Sequence, residues 1–114
     1  MITAADVDRV VDRVTALYDP DRIYLFGSVA KGTATAHSDL DLLVVRRTDQ
    51  PRGLRGLDVL AAMDAFGFDV DLIFLTPDEL VASVADPATI QHRIAAHATV
   101  VYERAGASDD PLRR

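Results

Sequence analysis

Two pairs of aspartates with the same spacing stand out in the sequence: Asp39 with Asp41, and Asp69 with Asp71. Each pair opens an apolar run, DLDLLVV at 39–45 and FDVDLIFL at 68–75. Residues two apart in a strand project from one face. If the two strands run parallel, joined by a helical crossover, their starts share one sheet edge and three or four carboxylates converge there. Such a cluster is costly without a counter-charge, because close carboxylates raise one another's pKa. Hard oxygen ligands with no Cys or His partner suit Mg²⁺ or Mn²⁺. Mg²⁺ held by a few carboxylates and completed by substrate phosphates is a common arrangement in phosphoryl and nucleotidyl transfer.

Gly27-Ser28 supplies the other half of that chemistry. Glycine lets the backbone approach a phosphate closely, and the serine hydroxyl with its neighbouring N–H groups can donate to an anion. Residues 28–32 are expected to form a short helix starting at the same place. A strand at 39–45 returning antiparallel beside one at 22–26 would set Gly27 and Ser28 against Asp39 and Asp41. Two common phosphate motifs are absent. Lys31 precedes Gly32, whereas a P-loop needs its Lys after the second glycine, and no GxGxxG occurs.

The elements that must position these residues follow from periodicity. Val7, Val10, Val11, Val14 and Leu17 recur at helical spacing, predicting an amphipathic helix over 4–17 capped by Thr3 and closed at Asp19-Pro20. RIYLF (22–26) reads as a buried strand and 39–45 as a central one. A helix is expected over 54–66, with Leu57, Leu60, Ala61 and Met63 toward the core and Gly67 as its stop. Thr76-Pro77-Asp78-Glu79 is a capping box launching a helix to Val84. Asp86-Pro87 starts another, carrying Ile90 and Ile94 to His97. TVVYE (99–103) is the last strand. The fold class is α/β (α+β): a small mixed sheet of three to four strands flanked by helices, in αβαβαβ order. The domain occupies 1–104, and 105–114 reads as a polar, disordered tail.

Composition narrows the function further. The chain has 114 residues, a net charge of −6 and 18 acids, of which only Glu79 and Glu103 are not Asp. A surface of that sign repels nucleic-acid backbones, so direct nucleic-acid binding is not expected. The chain has no cysteine, which removes disulfides, thiol catalysis and Cys-ligated metals. No apolar run approaches the ~18 residues of a membrane span, and the start MITAADVDRVVDRV lacks signal-peptide character. A cytoplasmic domain is expected.

Gly27-Ser28, ten intervening residues and then Asp39-Leu40-Asp41 give the pattern GS-x10-DxD. With its flanking strands and the later DVDLIFLTPDEL segment, the chain resembles the polymerase-β-like nucleotidyltransferase superfamily over residues 4–104. It is most similar to the small group called minimal nucleotidyltransferases, the MntA-like antitoxin type paired with HEPN proteins. The resemblance implies that Gly27 and Ser28 hold the triphosphate of ATP, with Lys31 and Ser38 of the same segment as further nucleotide contacts. It implies that Asp39 and Asp41 ligate Mg²⁺ and that Asp71, rather than Asp69, is the third carboxylate. Asp71 would help hold the second of two ions and activate the acceptor hydroxyl.

The implied partner is a HEPN-domain toxin, silenced by transfer of AMP to one of its tyrosines (AMPylation) within a toxin–antitoxin system. The chain could act within a homo- or hetero-oligomer. No acceptor-binding domain follows the core, so the acceptor is expected at the open face of the cleft or on another protein. Arg93 and His97 do not meet the Arg-to-His spacing of the HEPN ribonuclease signature, so this chain does not resemble the toxin. Two rival readings are nucleotidyl transfer to a small molecule such as an antibiotic, and a non-catalytic module that binds a toxin or nucleotide. His37 reads as a loop residue. His92 and His97 lack matching acids for a metal role. Tyr18, Tyr24 and Tyr102 read as core or interface aromatics.

Overall fold

Thr3 opens the first helix with a reciprocal capping box: its hydroxyl accepts the Asp6 N–H at 3.1 Å, and the Asp6 carboxylate accepts the Thr3 N–H at 2.8 Å. This is a computed structural model, and it describes residues 1–107 and 110–113. Helix α1 (Ala4–Tyr18) buries Val7, Val10, Val11, Val14 and Tyr18 along one stripe and ends where Asp19 turns left-handed ahead of Pro20. The strands are β1 (Arg22–Phe26), β2 (Leu40–Val45), β3 (Val70–Leu75) and β4 (Thr99–Glu103). They form a single mixed sheet in the order β3-β2-β1-β4. β1 runs antiparallel to β2 and β4, and β2 runs parallel to β3. The α/β class and the four-strand count agree with the sequence reading.

Alternation along the strands divides the core into two layers. Leu40, Leu42 and Val44 of β2 face one way, with Ile23 of β1, and pack against α1, Val59 and Met63. Leu43 and Val45 face the other way, with Tyr24, Phe26 and Leu75, and pack against Leu80 of helix α4 (Pro77–Val84) and Ile94 of helix α5 (Ile90–Ile94). β2 is covered on both sides, which explains its nearly unbroken apolar run. Each fully buried Leu or Val there contributes ~1.5–3 kcal/mol over an exposed one. Asp41 falls on the second face, in the same alternation as Leu43 and Val45.

Two expectations are corrected. The helix foreseen over 54–66 is divided into a 3-10 turn at Arg52–Leu54, helix α3 (Leu57–Ala62) and a 3-10 turn at Met63–Phe66. Gly56 causes the first break: it is left-handed, and a Cβ on it would lie 2.3 Å from the Phe74 ring. The buried pair is therefore Val59 and Met63, while Leu57 and Leu60 are 55% and 44% exposed and Ala61 is exposed too. α5 starts later than Asp86-Pro87, because the Asp86 carboxylate accepts the Ala88 N–H in a tight turn and Thr89 becomes the cap, accepting the His92 N–H at 3.1 Å. Ile90 is exposed. Of the polar tail, residues 105–107 and 110–113 are described. Pro111–Arg113 form a 3-10 turn, Leu112 packs against the second core layer and Asp110 accepts a hydrogen bond from the Tyr24 hydroxyl. The rest of the tail, 108–109 and 114, lies outside the described residues.

Among the described residues no helix is long and apolar enough to cross a membrane.

Candidate active site

The site is built where β1 ends and β2 and β3 begin. β1 runs into Gly27, which starts helix α2 (Gly27–Lys31) with φ of 75°. Its strand neighbour Phe26 pairs with Asp41. A Cβ on Gly27 would sit 2.1 Å from Asp41 Oδ2, so only glycine lets the turn close over the carboxylate. This seats Gly27 directly against Asp41 at the end of β1, with Ser28 the next residue of the turn.

Within the turn, the Ser28 carbonyl accepts the Thr33 N–H at 3.0 Å, and Gly32 closes α2 in a left-handed cap. Lys31 is exposed at the end of α2 and enters no ion pair among the described residues. The Ser38 hydroxyl accepts the Thr35 N–H at 2.8 Å and shapes the loop leading to β2. His37 lies in that loop and is exposed.

The parallel register sets Asp41 directly beside Asp71. Asp41 is half-buried and Asp71 is exposed. Burial, the facing Asp71 carboxylate, a hydrogen bond shared with it and the charge of Asp39 together push the Asp41 carboxyl up to about 6. None of Asp39, Asp41, Asp69 or Asp71 forms an ion pair among the described residues. Asp69 is exposed just before β3, and its carbonyl accepts the Leu40 N–H at 2.9 Å. Asp39 also lies just outside its strand.

Among the described residues no group of three His, Cys, Asp or Glu side chains is placed to hold a metal ion. The structure thus brings two carboxylates into direct partnership, with Asp39 acting on them through its charge. That pair, crowded and without a cationic side chain, fits a divalent cation held by one or two carboxylates and completed by phosphate oxygens of a substrate.

One residue of the site escaped sequence reasoning. His97, at the junction of α5 and β4, accepts the Gly27 N–H on its Nε2 at 3.0 Å, across 70 residues of sequence. No spacing rule links the two positions. The only available signal was a histidine just before a strand that pairs with β1.

A cavity of about 440 Å³ lined by Asp19, Asp21, Arg46, Arg47 and Arg104 lies at the opposite end of β1 and β2. Arg104 is paired there with both Asp19 and Asp21.

Residues 7–100 match the nucleotidyltransferase domain family. A candidate protein adenylyltransferase of Methanocaldococcus jannaschii is 38% identical over 71 residues, which are 57% of this chain and 48% of that protein. The chain thus spans about half the length of that relative. A crystal structure of a toxin–antitoxin with AMP-PNP superposes with a TM-score of 0.61 at 19% identity, over 85% of this chain and 73% of that one. A candidate nucleotidyltransferase of Sulfolobus solfataricus gives 0.57 at 21% identity, over 90% and 82%. At those identities the two structures establish the shared fold.

Proposed function

The chain belongs to the nucleotidyltransferase domain family, and from that premise we propose that it transfers AMP from ATP to a hydroxyl, that of a tyrosine on a HEPN-domain toxin, and is the antitoxin of the pair. The observation that carries this reading is the Asp41–Asp71 pair, two neighbouring carboxylates with no cationic partner, lying against a glycine-serine turn. The names of two relatives, a protein adenylyltransferase and a toxin–antitoxin complex with an ATP analogue, support the donor and the kind of acceptor.

The roles of the chain's own groups follow from their chemistry. The Ser28 hydroxyl and adjoining amides donate to phosphate oxygens of ATP. Lys31, on the same short helix, is the candidate for a contact to the outer phosphates. Mg²⁺ or Mn²⁺ held by Asp41 and Asp71, with the charge of Asp39 beside them, would supply the positive charge that offsets the crowded carboxylates and the phosphates. Asp71 is exposed, so a hydroxyl borne by another protein can reach it. Its carboxylate accepts the hydroxyl proton as the oxygen attacks the α-phosphorus. The new O–P bond forms, the bond to the β-phosphate oxygen breaks and pyrophosphate leaves.

In the test, Mg²⁺ with ATP is added to the wild type and to the Asp39→Ala/Asp41→Ala variant. At a hundredfold excess over Kd the wild type gains about 2.7 kcal/mol, roughly ten degrees or more in Tm, and the variant gains nothing. Mass spectrometry of a co-expressed HEPN partner finds an AMP adduct on tyrosine that Asp71→Asn abolishes. Equal shifts in both proteins overturn the site, and an unmodified partner overturns the acceptor.

A further inference from the structure

We propose that His97 is a positioning residue for the nucleotide, holding the Gly27-Ser28 turn in shape by accepting the Gly27 amide; this rests on the reading of that turn as a phosphate site. The first amides of a helix have no carbonyl within the helix to receive them, and a polar side chain at the capping position ordinarily does so. At α2 that position is Phe26, whose ring lies in the second core layer and has no acceptor atom to offer. His97 does the work from another element, with Nε2 3.0 Å from the Gly27 nitrogen. Acceptance at Nε2 places the ring proton on Nδ1.

Sheet register fixes the distance. Thr99, two residues after His97, pairs with Leu25, two residues before Gly27. The His97 backbone is itself tied down, its N–H donating to the Ile94 carbonyl at 3.1 Å. The turn is thus held from two sides, by the imidazole on its amide and by the Asp41 carboxylate in the space a Cβ would fill. Ser28 follows directly, so the direction of its hydroxyl and amide depends on both contacts.

The experiment measures binding of AMP-PNP with Mg²⁺ by calorimetry, together with hydrogen exchange at the Gly27 amide, for wild type, His97→Ala and His97→Gln. Gln carries an acceptor oxygen at about the reach of Nε2. His97→Ala weakens binding about fivefold, the worth of one ordinary hydrogen bond, and removes the protection of Gly27 while protection in β1 and β2 persists. His97→Gln restores both, to within about twofold in Kd. Wild-type affinity in His97→Ala, or an Ala-like His97→Gln, overturns the proposal. Tighter binding by His97→Ala also overturns it, and marks the imidazole as a competitor of phosphate. Failure of wild type and variants alike to bind AMP-PNP overturns the underlying nucleotide reading, and the role of His97 toward the nucleotide with it.

Discussion

Asp41 is placed at the expense of stability. It is half-buried, faces Asp71 across a parallel register and has no arginine or lysine partner among the described residues. Like charges side by side in a sheet destabilise it. Asp41→Asn keeps the shape and removes one charge, so in the absence of divalent cations at neutral pH it raises Tm by several degrees, the effect of ~1 kcal/mol. The same variant loses nucleotide transfer. Calorimetric melts in chelator, set beside a transfer assay, measure both. At this scale the glycine, serine and aspartate motif is legible in the sequence because its spacing along one β-turn-β segment is itself the geometry. His97 is not legible, because its partner lies 70 residues away and only the pairing of β4 with β1 brings them together.

At the scale of elements, capping residues locate boundaries better than apolar periodicity does. Thr3 and Thr76 mark the starts of α1 and α4 through reciprocal capping boxes. Periodicity alone points to the wrong core face for α3, since the many apolar residues of 54–66 can satisfy more than one helical stripe. The steric demand of Phe74 on Gly56 cannot be read from either local sequence. The corrected face is testable: Val59→Ala costs roughly 1–3 kcal/mol for a buried truncation, whereas Leu57→Ala stays within about 0.5 kcal/mol. Denaturation midpoints of the two variants decide between the faces.

The N-terminus of α4 also carries a pH dependence. Hydrogen bonds from Arg55 first, then from the Thr76 amide and Arg52, hold the Glu79 carboxyl at about 2, below its ordinary 4.5. A lowered folded pKa means that the ion pair contributes in full above about 4.5 and is lost as pH falls through about 2. The Tm advantage of wild type over Glu79→Gln is therefore constant from pH 7 to 5 and shrinks steadily between 4.5 and 2. An advantage that persists at the acid end of such a melting series would contradict the Arg55 pairing.

At the scale of the whole molecule, composition gave the class and the sign of the surface but not the use made of it. The abundance of Asp is mostly dispersed over caps, turns and solvated faces. Asp39, Asp41, Asp69 and Asp71 are gathered at one edge of the sheet, where the starts of β2 and β3 meet the end of β1. The sheet order adds a consequence for biosynthesis. β1 is made early, yet one of its two neighbours, β4, leaves the ribosome only after β2 and β3. A nascent chain can assemble β1, β2 and β3 with α1 and still present a bare flank on β1, the kind of unpaired edge that recruits strands from other chains. His97 emerges just ahead of β4, so the amide it holds stays unpaired until that segment is made. Closing the sheet and setting the Gly27 turn are then one event, and a half-made protein has its carboxylates in place but the turn beside them not yet held.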